Sequence, residues 1–344
     1  MKFWHVIPDT NHAVSLANNL SEIDHKAEHQ ILIYHSKGHQ KSYIEDTTQI
    51  FPRTAVLGRN LSFGSQDIVI AHGLFTNDIL KLFDAIYQQG IKTAWSIWGG
   101  DLHLIAPMAG GMEMLNRFSC VITAPGELLL YPQLHTPEVH GSLYKLEGKL
   151  EVDVPEKEDL LILGNSGDPS NNHMYLLDLA QKFEGYQIHV PFAYNATSDY
   201  TQSLLSHADS LGLRDRLTLQ TEMLSQESYR ALLARARFFL AGHDRQQAVG
   251  STSVAYQNNC RVFLKKAIRR PSGEEMINPG YLHLLTYGFV DLQDIFDLEN
   301  DTTVENLLRA NLPANRIAQV NALSVSHRAA TFEKIKRICG HRPQ

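Results

Sequence analysis

Two doubly wound α/β domains, each a parallel sheet with helices on both faces, are the fold class this sequence predicts. Three observations carry it. Short apolar runs of strand length alternate with helical stretches along the whole chain. The alternation fails once, at 146–159, a charge-rich stretch that holds Pro155 and no apolar period. The 344 residues suit two domains, by the soft rule of ~150 residues each.

In chain order, the apolar runs at 3–7, 31–34, 68–72, 93–98 and 120–123 read as buried strands, with an amphipathic helix at 77–89 among them. The stretch 146–159 reads as an interdomain linker. A second series follows, with strands at 160–163, 186–190, 216–219, 237–241 and 261–264 and helices at 174–183, 199–211 and 226–235. The expected domains are therefore 1–148 and 158–320, with a C-terminal helix in 321–344 that can pack back on the first. Two such halves facing across a cleft would turn the carboxyl ends of their strands toward it, where doubly wound folds bind ligands.

The formal net charge of −6 argues against a general nucleic-acid binder. Cys120, Cys260 and Cys339 form no even-numbered framework and no Cys-x-x-Cys pair, which points to reduced thiols in the cytoplasm. The apolar start of the chain stops at Pro8-Asp9, too early for a signal peptide. No run approaches the ~20 apolar residues of a membrane span.

The richest motif is Gly164-Asn165-Ser166-Gly167-Asp168-Pro169-Ser170-Asn171-Asn172-His173, which follows the apolar run 160–163. Its glycines let the backbone turn sharply and approach a ligand, and Ser170 or Asn171 can cap the next helix. No Lys follows the second glycine, so it is no Walker loop, and the dinucleotide glycine spacing is absent. The plain alternative is an ordinary strand-to-helix turn.

A second loop, His243-Asp244-Arg245-Gln246-Gln247-Ala248-Val249-Gly250-Ser251-Thr252, also leaves the end of a strand. Gly250, Ser251 and Thr252 can open a helix whose N-terminus attracts phosphate, and Arg245 can clamp a diphosphate. The alternative is a solvated loop in which Arg245 pairs with Asp244.

A third strand delivers Trp98-Gly99-Gly100-Asp101. Trp98 can stack on a sugar, and Asp101 can act as general base or bind sugar hydroxyls. Asp101 can equally be a helix N-cap. His72, before Gly73, and His5 both read as strand-end residues on the cleft side, although a lone histidine is more often a hydrogen-bonded structural group. The 17 histidines are scattered and no Asp-x-Asp pair sits at a strand-to-loop junction, so no metal ligand set is expected.

Three of these motifs together resemble one family. They are Ile97-Trp98-Gly99 with Asp101-Leu102, Gly164-Asn165-Ser166-Gly167-Asp168 with Ser170-Asn171 and His173, and Arg245-Gln246-Gln247 with Gly250; His72-Gly73 agrees. The chain is similar to the N-acetylfucosaminyl (Fuc4NAc) transferases, which move TDP-4-acetamido-4,6-dideoxy-D-galactose to lipid II in enterobacterial common antigen synthesis. The resemblance implies a GT-B glycosyltransferase with two Rossmann-like domains, the donor in the C-terminal one, the acceptor facing the N-terminal one, and no metal or cofactor. It implies Gly164, Asn165, Ser166, Arg245, Gln246, Gly250, Ser251 and Thr252 on the donor side. Trp98, Gly99 and His5 would meet the acceptor, and Asp101 and His72 would be the catalytic candidates. The partners implied are a nucleotide sugar and a polyprenyl-diphosphate-linked glycan, with peripheral association on the cytoplasmic face of the inner membrane and no nucleic acid.

One stretch departs from the family. Where the family has a longer, strongly basic helix, 102–119 carries only Arg117 as a full positive charge, with Met108, Met112 and Met114; positive charge returns at Arg328, Lys334, Lys336, Arg337 and Arg342. Two rival functions fit the same fold: a nucleotide-sugar epimerase or hydrolase, and a non-catalytic nucleotide- or glycan-binding protein.

Overall fold

The computed structural model describes residues 1–23, 28–35, 42–58, 61–144, 156–270, 272–310 and 317–340. They divide into two compact units, one of Met1–Lys145 with Leu323–Gln344 and one of Leu146–Ala322.

The first unit is built on seven parallel strands: β1 (Lys2–Pro8), β2 (Glu28–Tyr34), β3 (Thr54–Val56), β4 (Ile68–His72), β5 (Lys92–Ser96), β6 (Cys120–Thr123) and β7 (Glu138–His140). Their order is β3-β2-β1-β4-β5-β6-β7. Parallel strands need crossovers, supplied here by α1 (Asn11–Ile23), α2 (Ile44–Ile50), α3 (Asn77–Gln88), α4 (Gly100–Ile105) and α5 (Gly111–Leu115). Both sheet faces are covered, so the central strands are apolar almost throughout. On one face Val6, Leu32, Val69, Ala71 and Trp95 pack with Phe83 and Ile86 of α3. On the other Phe3, Ile7, Ile31, Ile33, Ile68 and Ile70 pack with Leu16 and Leu20 of α1.

The second unit repeats the plan. Its parallel sheet contains β8 (Glu158–Leu163), β9 (Gln187–Pro191), β10 (Leu217–Gln220), β11 (Ala236–Ala241) and β12 (Arg261–Leu264). A small antiparallel pair, β13 (Ala267–Arg269) and β14 (Glu275–Ile277), stands apart, and β15 (Gln293–Asp294) closes the main sheet in the order β10-β9-β8-β11-β12-β15. The helices are α6 (His173–Ala180), α7 (Ser198–Ser210), α8 (Gln226–Arg235), α9 (Val249–Gln257), α10 (Pro279–Thr286) and α11 (Asp301–Arg309).

The last helix, α12 (Ile317–Gly340), lays Phe332, Ile335 and Cys339 into the first unit's core beside Phe3 and Cys120. Arg328 is fully buried there and donates to Asn19 Oδ1 of α1 at 2.6 Å. Of the positive charges the sequence places near the end, Arg328 is thus withdrawn from the surface, and Arg342 lies outside the described residues.

Several boundaries differ from expectation for local reasons. The strand expected to run to Trp98 ends at Ser96, because Gly99 (φ 89°) turns the chain and the Trp98 N–H donates to Asp101 Oδ1 at 3.0 Å. β8 begins at Glu158, inside the expected linker, since Glu158 pairs with Ala236; residues 146–155 of that linker lie outside the described residues. Neither Ser170 nor Asn171 caps α6. Asp168 instead caps a 3-10 turn, Pro169–Asn171, accepting from the Ser170 N–H at 2.9 Å, and Asn172 (φ 57°) leads into the helix. The short strands β3, β7 and β13 to β15 were not foreseen, because two or three residues show no alternation to read.

Candidate functional site

In the second unit the chain leaves β8 toward β9 on one side and β11 toward β12 on the other. At such a switch point the loops after the two strands diverge and leave a crevice outside their carboxyl ends. Those loops are the two motifs, Gly164 to Asn171 and His243 to Gly250. The fold brings them together.

They are tied by polar side chains. Ser170 Oγ donates to Gln247 Oε1 at 2.9 Å and accepts from Arg245 Nη2 at 3.2 Å. Gln247 Nε2 donates to Asn165 Oδ1 at 3.2 Å, and Asn165 Nδ2 to the Tyr194 hydroxyl at 3.1 Å. Below them lies Asn171, fully buried. Its Oδ1 takes the Asn165 N–H at 2.9 Å and contacts His243 Nε2 at 2.8 Å, and its Nδ2 donates to the buried Ser166 Oγ at 3.1 Å. A buried amide so fully engaged sets the loop's shape.

Gly164 is required twice over. It has φ +68°, and a Cβ there would lie 2.5 Å from Asn171 Oδ1 and 3.0 Å from His173 Nε2. Burial holds two ring systems beneath the loop in the neutral form, pushing His243 down to about 3 and His173 to about 4.

Arg245 is not paired with Asp244, as the plain alternative had it. Asp244 is held by Lys265 Nζ at 2.6 Å, which leaves the half-buried Arg245 guanidinium on Ser170. α9 begins at Val249, and its first turn has no acidic residue. The amides that open a helix lack intrahelical partners and carry the positive end of its dipole. Gly250 is exposed, with no atom within 4 Å of where a Cβ would stand. Ser251 Oγ is 2.9 Å from the Tyr229 hydroxyl, and Gln246 is half-buried. Thr252 is buried within α9.

The first unit has its own switch point, between β1 and β4. Asp101 sits beside it, fully buried in the first turn of α4, while the N-cap is Gly99. Its carboxylate accepts from Trp95 Nε1 at 2.7 Å, the Leu74 N–H at 3.2 Å and the Trp98 N–H at 3.0 Å. Burial pushes its pKa up to about 6 against the pull of these donors. Asp101 thus ties the loop after β4 to the loop after β5.

His72 ends β4 as expected. His5 does not end a strand: β1 continues through Pro8, and His5 is fully buried at its middle. Trp98 is half-buried and meets His12, Phe75 and Tyr144, with ring centroids 4.7, 5.7 and 6.0 Å apart. Sequence reasoning passed over Tyr144 and His12 because nothing adjacent to either in the chain marks it. Ser170, Asn171 and Gln247 were inside the quoted motifs, but their partnership depends on residues more than 70 positions away. Among the described residues no group of three or more His, Cys, Asp or Glu is arranged to hold a metal ion.

A family model described as 4-alpha-L-fucosyltransferase, glycosyl transferase group 56, matches residues 5–278 and so takes in both loops, Trp98 and both switch points. The chain belongs to that family. It is the Fuc4NAc transferase family to which the sequence motifs pointed, and its members are glycosyltransferases using a nucleotide-sugar donor and a glycan acceptor. Membership decides against the epimerase, hydrolase and binding-protein alternatives.

Solved structures share the fold at low identity. Anabaena Alr3699/HepE, in complex with UDP and glucose, is 13% identical with a TM-score of 0.59, covering 99% of this chain and 98% of that one. The apo lipopolysaccharide outer core galactosyltransferase WaaB is 12% identical with a TM-score of 0.54, over 97% of this chain and 100% of the other. The N-terminal domain of Candida albicans trehalose-6-phosphate phosphatase is 10% identical with a TM-score of 0.62, over 99% and 97%. The fold of this family member is of the GT-B type, with two parallel-sheet α/β units. Among the described residues no helix is long and apolar enough to cross a membrane.

Proposed function

We propose that this glycosyltransferase moves a 4-acetamido-4,6-dideoxyhexose from a TDP-sugar to a polyprenyl-diphosphate-linked glycan. The observation that supports a donor site in the second unit is the meeting of the Gly164 and His243 loops at its switch point. Arg245 and the first turn of α9, at Gly250 and Ser251, would hold the diphosphate, with Gln246 beside them. Gly164, Asn165 and Ser166 would line the sugar side. A departing nucleoside diphosphate needs positive charge and N–H donors, and Arg245 with the start of α9 can supply both without a metal.

On the acceptor side Trp98 and Gly99 would meet the glycan. His72 lies behind them through Tyr144, whose hydroxyl is 2.5 Å from His72 Nδ1. Asp101, enclosed by three donors, would act by holding both loops in place. Leu104 in α4 and Met108 in the loop after it, 54% and 43% exposed, would offer apolar contact to the inner-membrane face that carries a polyprenyl acceptor.

The experiment is a transfer assay. TDP-4-acetamido-4,6-dideoxygalactose and a polyprenyl-diphosphate-linked disaccharide should give a product heavier by one sugar residue, whereas the UDP- and GDP-hexoses should not. Equal transfer from UDP-hexoses would overturn the donor assignment.

A further inference from the structure

Three histidines lie on one otherwise apolar face of the first sheet, the face formed by Phe3, Ile7, Ile31, Ile33, Ile68 and Ile70. The register explains their line. His29 stands opposite Phe3, His5 is two residues further along β1, and His72 is one residue past Ala71, the partner of Val6. Each step crosses one strand and advances two residues, so all three rings emerge on the same side.

The rings touch in file. His29 Nδ1 is 3.0 Å from His5 Nε2, His5 Nδ1 is 2.9 Å from His72 Nε2, and His72 Nδ1 is 2.5 Å from the Tyr144 hydroxyl. The three histidines are 1%, 0% and 0% exposed, whereas Tyr144 is half-buried beside Trp98. Phe332 of α12 closes the file from above, edge-on to His5 at 6.2 Å and to His29 at 5.5 Å. The file therefore has one end at the proposed acceptor aromatics and runs back under the C-terminal helix.

We propose that Tyr144, His72, His5 and His29 form a proton relay that accepts the proton released by the acceptor hydroxyl. The inference rests on the transferase reading of the first unit given above. A neutral imidazole donates through one nitrogen and accepts through the other, so with Nε2 protonated in each ring the file can take a proton at its Tyr144 end and pass one along at every contact. Burial keeps His5 and His72 neutral, the state this requires.

The step balances. The anomeric carbon–oxygen bond to the diphosphate breaks, and its electron pair leaves on the diphosphate. The acceptor oxygen forms the new bond and passes its proton to the Tyr144 oxygen. The phenol proton moves to His72 Nδ1, that on His72 Nε2 to His5 Nδ1, and that on His5 Nε2 to His29 Nδ1. His29 then holds both ring protons as an imidazolium, one proton more than the resting file, and that proton returns along the file to water after the product leaves. Tyr144 is the catalytic residue in this scheme, and the three histidines position and discharge it.

The test variant is His5→Gln. An amide still donates once and accepts once, so it can bridge its neighbours, but it cannot pass a proton on. With TDP-4-acetamido-4,6-dideoxygalactose and the polyprenyl-linked disaccharide, single-turnover transfer should fall tenfold or more while KM for both substrates stays within twofold. The wild-type rate should show a solvent deuterium effect of twofold or more with a curved proton inventory, and the variant should show neither. A His5→Gln rate within twofold of wild type would mean the file is only structural. A second measurement needs no substrate. In 15N-histidine spectra of the full chain, all three rings should be neutral with Nε2 protonated; Nδ1 protonation at His72, or opposed tautomers at His5 and His72, would break the file and overturn the relay. If the wild type transfers nothing with this pair, the donor and acceptor reading fails, and the tautomer order alone decides the relay.

Discussion

Ser170 Oγ donates to Gln247 Oε1 at 2.9 Å across 77 residues of chain. The same hydroxyl accepts from Arg245 Nη2, so the guanidinium is pre-positioned by the loop after β8. A charge held in place before the ligand arrives binds it with less ordering entropy to lose.

Arg245→Ala removes that group and its hydrogen bond to Ser170. The melting temperature should hold within a few degrees. TDP affinity, measured calorimetrically, should weaken by about 1.5–3 kcal/mol, or roughly 10- to 150-fold. Unchanged affinity would move the diphosphate elsewhere.

Two glycines separate scaffold from site. Gly164→Ala puts a Cβ 2.5 Å from Asn171 Oδ1 at a positive φ, and should destabilise the second unit by about 2 kcal/mol or more in urea unfolding. Gly250→Ala meets nothing within 4 Å and lies in a helix, where alanine stabilises by roughly 0.5–1 kcal/mol. Its stability should hold or rise while TDP affinity falls, because the methyl stands over the opening turn of α9. A loss of stability at Gly250 with normal binding would contradict this.

Asp101→Asn is not a neutral exchange here. Donors approach both oxygens, Trp95 and Leu74 on one and Trp98 on the other. An amide presents its NH2 to one side and leaves a buried N–H unpaired, at about 1–3 kcal/mol. Thermal unfolding should show that loss, and turnover should fall with it. A variant as stable as wild type but tenfold or more slower would instead make Asp101 a direct participant.

Acid should weaken the fold. His72 and His243 are held down at about 3 and His173 at about 4, all below the ordinary 6.5, so the unfolded chain binds more protons than the folded one. The stability they confer is complete above 6.5 and is lost as pH falls toward their folded values, at ~1.4 kcal/mol per unit for each. Asp101, raised to about 6, opposes this between 6 and 3.8, but as one group against three. Melts at pH 7.5 and 5 should show the lower midpoint at 5; a flat profile would mean these rings are not neutral.

If Arg245 and α9 neutralise the leaving diphosphate, transfer should persist in EDTA. Loss of activity in chelator, restored by Mg²⁺ or Mn²⁺, would assign part of that charge to a metal.

The alternation of apolar runs such as 68–72 and 160–163 determined the two parallel-sheet units, because strands buried on both faces must be apolar almost throughout. The two glycine-bearing loops were legible for a related reason. Gly164 stands just past one apolar strand, the loop from His243 leads from another to Gly250 in α9, and a doubly wound sheet turns its strand ends to ligands. Side-chain partnership lay beyond the sequence. His5 reads as a strand end, yet β1 runs on to Pro8 and buries it between His29 and His72. Asp101 reads as a base or a cap, yet Trp95 and Leu74 close over it. Local sequence carries periodicity and turn chemistry. Which polar groups satisfy one another in the core depends on strand order and register, and these bring His29, His5, His72 and Tyr144 into line from four separate parts of the chain.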